Sequence, residues 1–183
     1  IMRIWKRAAA CIAAGLLFAS SASAETTLHI TFAGDCTLGS EEATRNQASS
    51  FVSTITREGY DWPFANMQEL FQNDDLTVVN LEGVLSDSNK QENKKKTFRF
   101  RGPTDYVNIL TRSGIEAVNL ANNHTQDFGK QGFTSTQQTL DAAGIGYFGG
   151  QTYYVWEKNG IKIAFFGMGS TGFNGNKKWA KEE

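Results

Sequence analysis

An α/β fold with a mostly parallel sheet is predicted by three observations. Short apolar runs alternate with segments of helical spacing, which favours strands crossing over through helices. Three of those runs end in small polar or metal-competent residues: Gly34-Asp35, Asn80-Leu81-Glu82-Gly83 and Asn122-Asn123-His124. The last two runs, Tyr153 to Lys158 and Ile161 to Phe166, flank Asn159-Gly160, the strongest short-range hairpin signal.

The elements follow in order. Leu28, Ile30 and Phe32 alternate with His29, Thr31 and Ala33, a strand pattern leading into Gly34-Asp35. Glu41 to Thr56 is polar and Ser/Thr-rich with weak periodicity and reads as a loop with room for one helical turn. Trp62-Pro63 marks a break, after which Phe64, Met67, Leu70 and Phe71 recur at helical spacing. Asn73-Asp74-Asp75 ends that helix, and Leu76 to Val79 forms the second strand.

Ser86 to Lys96 reads as a solvated excursion, with Lys94 to Lys96 as a charged run. Thr97 to Arg101 alternates as a short extended segment stopped by Gly102-Pro103. Thr104 is placed to cap the next helix, with Tyr106, Ile109 and Leu110 on its apolar face and Gly114 as its stop. Ile115 to Ala121 is the third strand, Lys130 to Ala143 a helix ended by Gly144, and Ile145 to Phe148 a short strand. Residues 171–183 carry no clear pattern.

Arg3, Lys6 and Arg7 form a positive leader, Ala8 to Phe18 an apolar run, and Ala22-Ser23-Ala24 a small-residue cleavage pattern. The apolar run is short against the roughly 20 residues that span a bilayer. The expectation is a signal peptide over 1–24, one domain over 25–183, and an extracytoplasmic location, with a retained anchor as the alternative. The chain has 18 Lys and Arg against 19 Asp and Glu; the leader holds three of the bases and no acid, so cleavage leaves a net charge of −4. That balance argues against a general nucleic-acid binder, which needs a basic face. Cleavage also removes Cys11 and leaves only Cys36, so no internal disulfide is expected.

In open α/β sheets, reacting groups gather at the carboxyl ends of parallel strands. Asp35 there suits a divalent metal, although an Asp capping a turn would look the same. Asn80 and Glu82 are two apart and share one side of an extended chain, so both need partners there. A metal or its water would serve them, as would an ordinary surface turn. Asn122-Asn123-His124 combines amide oxygens with an imidazole able to ligate or to move a proton; the alternative is a loop held by Asx turns. His29 reads as structural or surface, Cys36 as a small buried side chain, and Asp127 as ordering the loop after His124. Arg99 and Arg101 fit either a phosphate or carboxylate ligand or a solvated strand face.

Taken in order, Phe32-Ala33-Gly34-Asp35, Val79-Asn80-Leu81-Glu82-Gly83, Phe100-Arg101-Gly102-Pro103 and Asn119-Leu120-Ala121-Asn122-Asn123-His124 followed by Asp127-Phe128-Gly129 resemble the bacterial CapA-like capsule-synthesis family, PGA_cap. The resemblance runs over nearly all of Leu28 to Gly167. It implies the layered α/β/β/α sandwich of the calcineurin-like metallophosphoesterases, here without its C-terminal half. It also implies divalent metal ions (Mn, Fe, Zn or Mg), with Asp35, Glu82 and Asn123 as ligands and His124 as the catalytic imidazole. Asn80 would lie beside Glu82. Apart from the resemblance, Asn80, Asn122, Arg99 and Arg101 are the candidate substrate-binding residues.

The implied partners are an anionic polymer such as poly-γ-glutamate and membrane-bound capsule-synthesis proteins. Those families carry further His ligands in their second half, whereas this chain has only His29 and His124. Three readings follow: an exported metal-dependent hydrolase of capsule or envelope biosynthesis, a non-catalytic extracytoplasmic binder or export partner of the polymer, and an inactive truncated fragment.

Overall fold

The computed structural model describes residues 26–169. The leader and residues 171–183 lie outside the described residues. Four strands form a parallel sheet in the order β1-β2-β5-β6: β1 Ile30–Cys36, β2 Leu76–Leu81, β5 Ala117–Asn119 and β6 Gly146–Phe148. Two two-residue strands, β3 Val84–Leu85 and β4 Arg101–Gly102, pair in parallel beside it. The antiparallel hairpin β7 Tyr153–Lys158 and β8 Ile161–Phe166 turns at Asn159-Gly160, both with positive φ, as the dipeptide predicts.

Strand alternation sorts the core into two layers. Val79 and Leu81 of β2 and Val118 of β5 pack with Ile55, Phe71, Ile109, Leu110 and Leu140. Those residues come from helices α1 Phe51–Glu58, α2 Gln68–Asn73, α3 Val107–Ser113 and α4 Gly129–Ala143, all on one face. The opposite face, Leu76, Val78, Ala117 and Phe148, is covered by the hairpin through Phe165, Tyr154, Trp156 and Ile163. The result is a helix, sheet, sheet sandwich, a partial metallophosphoesterase-like architecture. Among the described residues no helix is long and apolar enough to cross a membrane.

Several local expectations need correction. The segment 41–56 is not all loop: α1 begins at Phe51 because Ser50 Oγ accepts the Ser53 amide at 3.1 Å and Ile55 is buried. The helix expected around Phe64 splits into a 3₁₀ turn at Trp62–Phe64 and α2. The extended segment 97–101 forms strand only from Arg101, and the third strand narrows to Ala117–Asn119. Thr104 does not cap α3; its hydroxyl donates to Asp87 Oδ2 at 2.6 Å, which helps hold that carboxyl below its usual range.

Gly114 closes α3 in the left-handed region (φ 78°), and an added Cβ would sit 3.1 Å from the Phe71 carbonyl oxygen. Gly114→Ala is expected to cost about 1–2 kcal/mol in urea unfolding, from left-handed strain plus that contact. Cys36 is buried, and desolvation pushes its thiol up to about 12. Alkylation at pH 8 should therefore leave Cys36 unlabelled in the native protein and label it in denaturant, as read by peptide mapping.

Candidate functional site

The carboxyl ends of β1, β2 and β5 share one rim. β1 carries a register shift between Phe32 and Asp35, and this irregularity brings Asp35 opposite Asn80. Asn80 in turn lies opposite Asn119. The Asn80 amide donates to Asp35 Oδ1 at 2.7 Å, and the Asn119 amide donates to Asn80 Oδ1 at 2.8 Å. Asn122 adds donors to Asn80 Oδ1 at 3.1 Å and to the Leu81 carbonyl at 2.9 Å. Its own Oδ1 accepts the His124 amide at 2.9 Å, which shapes the turn carrying the imidazole.

Glu82 follows β2 and is fastened by its amide to the Cys36 carbonyl at 3.0 Å. Thr37 Oγ1 donates to Glu82 Oε2 at 3.4 Å, and Glu82 Oε1 lies 3.8 Å from His124 Nε2. His124 is buried under Phe100, ring centroids 4.7 Å apart. Its Nδ1 meets Asp127 Oδ2 at 2.7 Å. Asp127 is fully buried and also accepts from the Phe100 amide at 2.8 Å and from Lys96 Nζ. With Lys96 and the Phe100 amide already donating to Asp127, the tautomer that fits this carboxylate is the one with its proton on Nδ1, which leaves Nε2 facing Glu82.

The structure thus brings together Asp35, Asn80, Glu82, Asn122 and His124. Asn123 is adjacent and exposed, with its main-chain oxygen accepting from Lys96 at 2.6 Å. Beside the Asn122-Asn123 loop opens a cavity of about 900 Å³ whose walls include Lys96, Gln126, Phe133, Gln137 and Gln151.

The arginines stand apart from this rim. Arg101 is buried, donates to Glu42 Oε1 at 2.6 Å and to the Ser86 carbonyl at 2.8 Å, and lies 5.7 Å from the Phe128 ring centroid. Arg99 is held by Glu92 at 2.9 Å and by the Lys96 carbonyl. Both serve internal ion pairs, so any ligand role would require those pairs to open. Lys96, read as part of a solvated run, instead neutralises Asp127.

Asn119 was not expected at the site. Its signal is the tripeptide Val-Asn-Leu, which occurs at 79–81 and again at 118–120, at matched places on neighbouring strands. Lys96 and Thr37 carry no comparable signal, because their partners are distant in sequence.

As a metal centre the donor set fits in kind: carboxylate oxygens on Asp35 and Glu82 suit a hard or borderline divalent ion. It is not complete in itself, since among the described residues no three His, Cys, Asp or Glu group tightly enough to hold one. Asn80 Oδ1 already accepts two hydrogen bonds and Asn122 Oδ1 accepts the His124 amide, so both are committed to the protein.

Residues 29–183 match the family described as bacterial capsule synthesis protein PGA_cap. The chain belongs to that family. Among curated PGA_cap-like relatives, it is 26% identical over 123 residues to the capsule biosynthesis protein CapA of Bacillus anthracis, covering 62% of this chain and 30% of the relative. It is 26% identical over 150 residues to the PGA biosynthesis protein CapA of Bacillus subtilis, covering 77% of this chain and 37% of the relative. A "Probable polyglutamine synthesis accessory protein" of Mycobacterium tuberculosis is 34% identical over 86 residues, 46% of this chain and 22% of the relative. The chain therefore spans about a third of the length of the curated CapA relatives it matches.

Proposed function

We propose that this PGA_cap chain carries part of a metal-dependent, hydrolase-like site in an exported protein of poly-γ-glutamate capsule or cell-envelope biosynthesis. The observation that carries the reading is the setting of His124, its Nδ1 anchored on a buried carboxylate and its Nε2 3.8 Å from Glu82, on the rim where Asn80 also ties Asp35. Export is supported by the leader pattern of Arg3 to Ala24. The family and the names of the relatives support the polymer.

Asp35 and Glu82 would hold a divalent cation, joined by Asn123 and by ligands beyond the described residues. Such an ion, when bound, activates water and stabilises negative charge on a phosphoryl or acyl oxygen. His124 gives or takes a proton through Nε2. Asp127 keeps the other nitrogen protonated, and Phe100 shields the ring from water. The amide-rich cavity beside the Asn122-Asn123 loop gives an extended chain room on the flank of the rim. Membrane-bound capsule-synthesis proteins are the partners this placement suggests.

The test is metal removal from the whole gene product. Chelation should abolish its hydrolysis of a phosphodiester reporter or of poly-γ-glutamate, and Mn²⁺ should restore it. Retained polymer binding with no metal-dependent turnover would favour a non-catalytic partner instead.

A further inference from the structure

The rim holds a row of side-chain amides whose orientation the backbone dictates. Asn119 Oδ1 accepts the Ala121 amide at 3.0 Å, so its NH₂ must face Asn80. Asn122 Oδ1 accepts the His124 amide, and its NH₂ reaches the Leu81 carbonyl, so it too presents a donor to Asn80. Two donors on one side leave Asn80 a single arrangement: oxygen toward Asn119 and Asn122, NH₂ toward Asp35. The three strands hold the row in register, Asp35 beside Asn80 beside Asn119.

Asp35 itself is exposed, on the sheet-edge strand β1. The Asn80 donor therefore supplies a fixed partner where the surroundings supply few. Gly167 belongs to the same device: a Cβ there would fall 2.3 Å from Asn119 Oδ1 and 2.9 Å from Ala121 Cβ. The chain leaving β8 must lack a side chain at that point for Asn119 to keep its place.

We propose that Asn80, Asn119 and Asn122 are positioning residues, an oriented amide relay anchored on the β5 loop that fixes the Asp35 carboxylate through the Asn80 NH₂. This deepens the function proposed above, because it rests on Asp35 being a working carboxylate. It also reassigns Asn80 and Asn122 from substrate contact to holding the site in shape.

The test reads the Asn80 side-chain NH₂ directly by ¹⁵N NMR of the chain without added metal. In the wild type, its hydrogen exchange should be about tenfold slower than that of exposed Asn side chains. Asn119→Asp places an acceptor against Asn80 Oδ1 and should return exchange to the exposed range. Gly167→Ala, which adds only a methyl group, should do the same. Asp35→Asn, at an exposed position that should not disturb folding, should move the same resonance.

Unprotected Asn80 in the wild type, or protection unchanged in these variants, overturns the relay. A merely structural role for Asn119 would lower Tm and leave Asn80 protected. Mn²⁺ titration of the same sample, read at other amides, tests the metal reading separately, so failure of one is distinguishable from failure of the other.

Discussion

His124→Ala should lower kcat/KM for the proposed hydrolysis by about 10²–10⁴-fold, the usual contribution of a positioned acid–base group. Among the described residues the imidazole is the one titratable ring at the rim, and its Nε2 lies 3.8 Å from Glu82 Oε1. Cation binding should survive the change, because the carboxylates of Asp35 and Glu82 remain. Stability should fall only modestly: Asp127 keeps two of its donors, Lys96 and the Phe100 amide. The comparison that decides is His124→Gln, which retains a polar side chain but cannot move a proton at neutral pH. It should be as inactive as alanine while Tm stays near the wild-type value. A variant retaining more than a tenth of wild-type turnover would remove His124 from the chemistry.

Asp127→Ala should be the most damaging single change to the rim as a folded object. The carboxylate is fully buried and ties three segments together: the His124 turn, the 92–96 excursion through Lys96, and the strand entry at Phe100. Its removal strands the Lys96 charge, and breaking a buried pair costs about 3–5 kcal/mol. Lys96 is 28% exposed, which places the expected loss near the lower end, about 3 kcal/mol. Urea unfolding measures it. Adding Lys96→Met should recover part of the loss, since the unpaired charge is then gone. Asp127→Asn should retain more stability than alanine yet lose activity, because an amide does not hold Nδ1 protonated in the same orientation.

The sequence makes the strand ends legible because a period of two followed by small polar residues has few other uses. Asp35, Glu82 and His124 stand out on that ground, and Gly114, Gly144 and Asn159-Gly160 mark their turns correctly. What it hides are features set by long-range register. The shift between Phe32 and Asp35 is invisible locally, yet it decides which residue Asp35 faces. Arg101 alternates like a surface strand residue, but its partner Glu42 is 59 positions away and draws it inside. Lys96 sits in a charged run that looks solvated until Asp127, 31 positions on, claims it. Helix α1 is hidden in a Ser/Thr-rich stretch because its apolar stripe is short: Phe51, Val52 and Ile55, with Ile55 alone buried.

The proposal that Asp35, Glu82 and the Asn123-His124 turn serve one divalent-cation site is tested most directly by paramagnetic broadening. Mn²⁺ added at sub-stoichiometric amounts to ¹⁵N-labelled protein should erase the amide signals of Asp35, Cys36, Glu82, Asn123 and His124 together. Asp35→Asn combined with Glu82→Gln should restore them. Broadening confined to scattered surface acids such as Glu58 and Glu69, with the rim signals intact, would contradict it.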